Sequence, residues 1–102
     1  MNWILLFVMP LAMATNPKID KEKCTCNGYP LYGRVQVVET GEDLEVKIVE
    51  YSADLEVKII DYTSDDCGYW RFVESAPDVR IRFVEYGADL NIKFVEYSPG
   101  LK

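Results

Sequence analysis

From Val35 to Lys102, apolar and polar residues follow one pattern six times over. Val46-Lys47-Ile48-Val49-Glu50-Tyr51 returns eleven residues later as Val57-Lys58-Ile59-Ile60-Asp61-Tyr62. Copies begin at Val35, Val46, Val57, Trp70, Ile81 and Ile92, every interval being eleven residues except the third, which is thirteen. With positions numbered from those residues, apolar side chains take positions 1, 3, 4, 6 and 10. An eleven-residue period is open to a helical reading. On a helix, however, these positions spread around the circumference and form no stripe. Val, Ile, Phe and Tyr crowd positions 1 to 6 and favour strands. Ser or Gly, Ala or Pro, and Asp at positions 7 to 9 are turn chemistry. The pattern therefore predicts an all-β domain of six strand-turn repeats in two sets of three, each strand about six residues and each turn about three to five.

Alternation slips within each copy. Val46 and Ile48 share one face, yet Val49 follows Ile48 directly, and Phe72-Val73, Phe83-Val84 and Phe94-Val95 repeat the slip. Either both faces are partly buried, or a bulge or bend returns the second residue to the core.

Charges recur in phase. Position 2 is Gln36, Lys47, Lys58, Arg71, Arg82 and Lys93, and position 5 is Glu39, Glu50, Asp61, Glu74, Glu85 and Glu96. Stacked like charges repel, so a register setting position 2 across from position 5 is expected. Position 9 carries Asp43, Asp54, Asp65, Asp78 and Asp89. As a calcium row these need six to eight oxygens converging on one point. Capping of backbone N–H groups within each turn is the expected role. Tyr51, Tyr62, Tyr86 and Tyr97 recur at position 6. They suit either a platform for sugar rings or peptides or, as preferred, closure of the core at strand ends with hydroxyls in water. Trp70, in place of Val at position 1, is expected to plug the centre of the core.

Composition narrows the function. The 102 residues make one domain with a modest core, a net charge of −6 and no histidine. Net acidity argues against nucleic acid and anionic membranes as partners. Without histidine, Ser-His-Asp and Cys-His catalysis and the commonest zinc ligand are excluded. An acid pair for glycoside hydrolysis drawn from Glu39, Glu50, Glu74, Glu85 and Glu96 fails differently. Catalysis needs one carboxylate made unlike its neighbours, and every copy here carries the same one. No catalytic, metal or cofactor-binding residue is expected, and no cofactor.

Residues 1–14, MNWILLFVMPLAMA, are uncharged, too short to span a bilayer, and end in a small-x-small sequence at Ala12-Met13-Ala14. They read as a signal peptide cleaved after Ala14, giving a secreted or periplasmic protein with no membrane attachment after cleavage. Residues 15–32 read as a flexible polar leader followed by a Cys-containing segment, and residues 33–102 as the repeat domain.

Cys24, Cys26 and Cys67 are the only cysteines. In an exported protein one disulfide is expected, from Cys67 to either Cys24 or Cys26. It would contribute about 4 kcal/mol on the loop-entropy model. The odd thiol is then a free surface cysteine or an intermolecular bridge. A metal site from all three lacks an evident fourth ligand.

The repeats EVKIVEYSADL and RIRFVEYGADLNIKFVEYSPG, with the central break DDCGYWRFVES, resemble the septoil-knot domain proteins, earlier classed as a domain of unknown function. The resemblance covers about Gly33 to Lys102. Its most specific element is Cys67-Gly68-Tyr69-Trp70 followed by an apolar strand between two sets of three repeats. It implies a backbone wound as a 7(1) torus knot, against the general rarity of knots. Periodicity alone points to a β-solenoid or small sandwich. Near-identical units supply the constant step a torus winding needs, and the two extra residues near Asp65–Tyr69 mark a pseudo-twofold midpoint. Segment 24–33, CTCNGYPLYG, falls outside the pattern. No catalytic or binding residues carry over.

The expected function is thus a small exported non-enzymatic module, structural or interacting. The alternative is a ligand-binding module for a glycan, peptide or calcium using the Tyr or Asp rows. Its partner is unspecified. A monomer or weak homodimer is expected, with exposed strand edges as one route to pairing.

Overall fold

A computed structural model describes residues 16–102, so the expected signal peptide, residues 1–14, lies outside the described residues. The described chain is all β. A small antiparallel sheet comes first: β1 (Ile19–Asp20), β2 (Thr25–Cys26) and β3 (Tyr29–Pro30). Six longer strands follow: β4 (Gly33–Val37), β5 (Leu44–Ile48), β6 (Leu55–Ile59), β7 (Tyr69–Phe72), β8 (Val79–Phe83) and β9 (Leu90–Phe94). A last short strand, β10 (Gly100–Leu101), runs antiparallel along the start of β6.

The six longer strands pair in parallel and close into a barrel in the order β4, β8, β5, β9, β6, β7 and back to β4. Strands of the first three copies alternate with strands of the last three. Each eleven-residue interval carries the chain over one intervening strand. The thirteen-residue interval, between β6 and β7, moves it to the adjacent position. The chain circulates in constant steps and, at the midpoint, takes the short step that drops the second half into the gaps of the first. Closure leaves none of these six strands with an open edge, so pairing through barrel edges is removed as a route to dimers.

The strand frame sits two residues earlier than the propensities suggest. Strand β5 occupies positions 10, 11, 1, 2 and 3: Leu44 and Val46 are buried, while Glu45 and Lys47 face outward. The same buried pair recurs as Leu55 with Val57, Val79 with Ile81, and Leu90 with Ile92. Period two therefore holds strictly from position 10 to position 3, and the apparent slip falls where the strand ends. Position 4 opens the connection. Its N–H donates to the position 1 carbonyl of a neighbouring strand in all six copies, as in Val49 N–H to the Ile92 carbonyl at 2.8 Å and Val84 N–H to the Val46 carbonyl at 2.9 Å. Residue types at positions 4 to 6 are strand-like, but the strand is set by which positions can enter the interior.

This frame also overturns the expected register. Glu45 lies opposite Arg82 and Glu56 opposite Lys93, so position 2 faces position 11. Arg82 bonds Glu45 and also reaches Glu42 at 3.2 Å. The position 5 acids lie beyond the strands.

Turn chemistry appears where expected. Position 7 takes a positive φ at Gly41, Ser52, Ala76, Gly87 and Ser98, between 54° and 80°. Thr63, in the copy with the longer interval, does not share this corner.

The barrel end at which the strands begin is covered by residues 16–32. Leu31, Cys24 and Cys26 are buried there with Trp70. The Trp70 indole N–H donates to the Leu31 carbonyl at 3.1 Å, and Gly68 N–H donates to the same oxygen at 3.0 Å. Trp70 is the core plug expected of it. Gly33, opposite Trp70, and Gly68, two residues before it, stand where other strands carry Leu or Val, and a Cβ at Gly33 would run into the Asp78 carboxylate. Gly68 is additionally confined by backbone. Its φ is +86°, and a Cβ would meet the Glu56 carbonyl oxygen and the Gly100 nitrogen at 2.7 Å.

The leader expected to be flexible is folded onto this end. The Asn16 amide donates to the Asp89 carbonyl at 2.9 Å, Lys18 Nζ bonds Asp89 Oδ1 at 2.8 Å, and Ile19 packs against the core. Its few apolar residues suffice because the barrel offers an end to cover.

Candidate functional site

Each row of residues singled out by the repeat has a definite place. The turn aspartates do cap backbone N–H groups, but not in their own turns. Asp78 Oδ2 accepts the Arg34 N–H at 2.8 Å, Asp89 Oδ2 the Glu45 N–H at 2.8 Å, Asp43 Oδ2 the Arg80 N–H at 2.9 Å and Asp54 Oδ2 the Asn91 N–H at 3.0 Å. Each Asp N–H in turn donates to the same partner's carbonyl, at 2.7–2.8 Å. A two-bond bracket thus ties the start of one strand to a neighbour 37 or 44 residues away. Sequence reading placed the carboxylates in their own turns because the partner is distant in the chain. Asp65, in the longer interval, makes no such bracket and is exposed.

The brackets tune their own charge. The Arg34 guanidinium and N–H hold Asp78 below the ordinary carboxylate range. At Asp89 partial burial opposes ionisation, but the Glu45 N–H and Lys18 outweigh it and the pKa is also lowered. Asp78 and Asp89 are therefore ionised, and both oxygens of each accept from protein donors. Among the described residues, no group of three or more His, Cys, Asp and Glu side chains converges as a metal-ligand set.

The cysteine alternatives resolve. Cys24 and Cys67 form the disulfide, their Cα atoms 5.8 Å apart and 43 residues apart in sequence. It ties the cap to the central break. A metal site from all three cysteines is thereby ruled out. Cys26 is free but fully buried, so it is neither the surface thiol nor the intermolecular bridge expected. Burial, with the Asp89 charge, pushes its thiol up to about 11. Cys26 points into the cap because strand β2 alternates: Cys26 is buried and Thr25 is not.

The tyrosine row does not close the core. Tyr51, Tyr86 and Tyr97 are 82%, 89% and 80% exposed, and Tyr62 is 56% exposed. The acids Glu39, Glu50, Glu74, Glu85 and Glu96 are exposed in the same connections.

What sequence reading missed is the open end of the barrel. Each of the six strands ends on a position 3 residue: Val37, Ile48, Ile59, Phe72, Phe83 and Phe94. All except Phe94 are among the exposed large apolar residues, at 37% to 52%. Because the strands are parallel, these residues gather at one end, opposite the cap. The first three copies carry aliphatic residues and the last three carry Phe, and interleaving makes them alternate around the ring: Ile59, Phe94, Ile48, Phe83, Val37, Phe72. Shallow grooves run between neighbouring strand ends, one lined by Ile59, Phe94 and Tyr97 with Lys58 and Glu96, another by Ile48, Tyr51 and Phe94 with Lys93 and Glu50. Lys58 Nζ stands 6.0 Å from the Tyr97 ring centroid. The recurrent Ile-Val and Phe-Val pairs are the signal of this end in the sequence: alternation breaks there because each strand ends on the first residue of the pair.

Fold and termini together define a class: a closed, six-stranded parallel β-barrel built from interleaved strand-turn repeats, capped at one end by its own N-terminal segment and stapled by a disulfide. A family model for the 7(1) septoil knot domain matches residues 28–102, and the chain belongs to that family. No curated protein matches the chain.

Proposed function

We propose that this septoil-knot chain is a small exported, non-enzymatic module that serves as a stable structural or interaction domain. One observation carries the reading: the repeated polar groups are committed to holding the barrel or recur as equivalent exposed copies, and the surface left uncommitted is the apolar open end. Each bracketing aspartate gives its Oδ2 to a backbone N–H of a neighbouring strand, and the position 5 acids offer no copy unlike the rest. Export is supported by the Cys24–Cys67 disulfide, which suits an oxidising compartment. The leader residues 1–14 fit cleavage after Ala14.

Intact-mass analysis of the protein recovered after expression of the full chain tests this reading. The expected species begins at Thr15, is found outside the cytoplasm, and contains one disulfide and one thiol that is alkylated only after unfolding. A cytoplasmic product with three reduced cysteines counts against it. So does a hydrolytic activity abolished by Glu→Gln substitution at one position 5 acid.

A second reading is favoured by the exposure of Tyr51, Tyr86 and Tyr97. Aromatic faces beside Lys and Glu suit a glycan or peptide. A glycan-array and peptide-library screen, with loss of binding in Tyr97→Ala, tests it. Calcium is the weaker ligand, and a thermal shift without change on calcium addition is expected.

A further inference from the structure

We infer that the open end of the barrel docks on the open end of a second copy of this chain. This rests on the interaction-module reading above and names its partner. One barrel end is covered by residues 16–32, and the other is left with six apolar side chains standing on strand ends. Burying the exposed parts of these six and the neighbouring tyrosines removes on the order of several hundred Å² per copy, the scale of the ~800 Å² per partner of an ordinary stable interface. Large exposed apolar patches on single chains mark interaction sites.

Three features select a second copy. First, both signs of charge are interleaved around this end, with Lys47, Lys58 and Lys93 beside Glu50, Glu85 and Glu96. A polyanion or lipid surface needs one sign, whereas a twofold contact needs a patch complementary to itself. Second, the ring alternates bulky Phe with smaller Val or Ile. A twofold axis passing between two strands maps each Phe onto an aliphatic place of the partner, so projections meet notches. Third, the described chain does not cover this end. Asn16 bonds residues that precede β6 and β9, and Leu101 pairs with Leu55 at the start of β6, so both lie at the capped end.

Sedimentation equilibrium of the protein recovered from full-chain expression, with methyl and amide NMR over the same concentrations, tests the inference. The expected result is a dimer, with concentration-dependent shifts at Ile48, Ile59 and Phe83. Phe83→Glu and, separately, Ile48→Lys are expected to raise the dissociation constant about tenfold or more, while Tyr29→Glu on the cap leaves it unchanged. The wild-type measurement decides even where one variant fails to fold. A monomer up to about 1 mM, a dimer indifferent to both rim variants, or a dimer dissolved by Tyr29→Glu overturns it. A monomer whose rim signals depend on residues 1–14 assigns the ring to that segment and also overturns it. A monomer that binds a glycan or peptide at the ring overturns the second copy alone. The module reading then still stands on the export and activity measurements above.

Discussion

Asp89 and Glu45, 44 residues apart, hold each other by two hydrogen bonds: the Asp89 N–H donates to the Glu45 carbonyl at 2.7 Å, and the Glu45 N–H donates to Asp89 Oδ2 at 2.8 Å. The bracket sits where strand β9 begins beside β5, and Lys18 from the cap bonds the same carboxylate. It joins the two halves of the chain and the cap at one side chain.

Removing a bracket leaves a backbone N–H without its charged acceptor. Asp89→Ala is expected to destabilise by about 1–3 kcal/mol, with Asp65→Ala near neutral. Urea denaturation of the two variants in parallel checks this. Equal losses from both substitutions would deny the bracket its role.

Acid should loosen the same brackets. Asp78 and Asp89 have folded-state pKa values below the ordinary 3.8. Their unfolded forms therefore take up protons first. The stability they contribute is full above that value and is lost as pH falls through the lower folded values. The denaturation midpoint is expected to drop below about pH 4, and the drop should be smaller in the double variant Asp78→Asn, Asp89→Asn.

The left-handed corners carry a cost where they are not glycine. Ala76 at φ 54° has no side-chain polar group to offset it. Ala76→Gly is expected to stabilise by up to about 1 kcal/mol, and Gly87→Val to destabilise by about 1–2 kcal/mol. Thermal melts of both variants at one pH test the pair. A destabilised Ala76→Gly would contradict the corner geometry.

Reduction separates the two kinds of cysteine. Cys67→Ser is expected to lower stability by about 4 kcal/mol on the loop-entropy model. Cys26, buried and with its thiol pushed up to about 11, should resist iodoacetamide in the native state at pH 8 and react on unfolding. Rapid native alkylation would place it at the surface.

Folding should be slow. Glu45 pairs with Arg82 and Glu56 with Lys93 across 37 residues, so few barrel contacts are local, and the second half must enter gaps between strands of the first. Refolding slower than for local topologies, with marked kinetic stability, is expected by stopped-flow fluorescence of Trp70. Recovery within milliseconds would tell against it.

Much of this was legible in the chain itself. Six near-identical units determine an all-β body, a turn at positions 7 to 9, a core plug at Trp70 and a midpoint near Asp65–Tyr69. These follow from local propensity and periodicity, which need no knowledge of neighbours. The three-dimensional arrangement decided what depends on distant partners: that strands start at Leu44 and not Val46, that Asp89 caps Glu45 and not its own turn, that Cys24 takes Cys67 while Cys26 is buried, and that Ile48 and Phe83 meet at an open end. The reason is common to all four. A repeat states the same residue types in every copy, and only closure of the barrel, which interleaves the copies, determines which side of each strand is inside and which copy lies next to it.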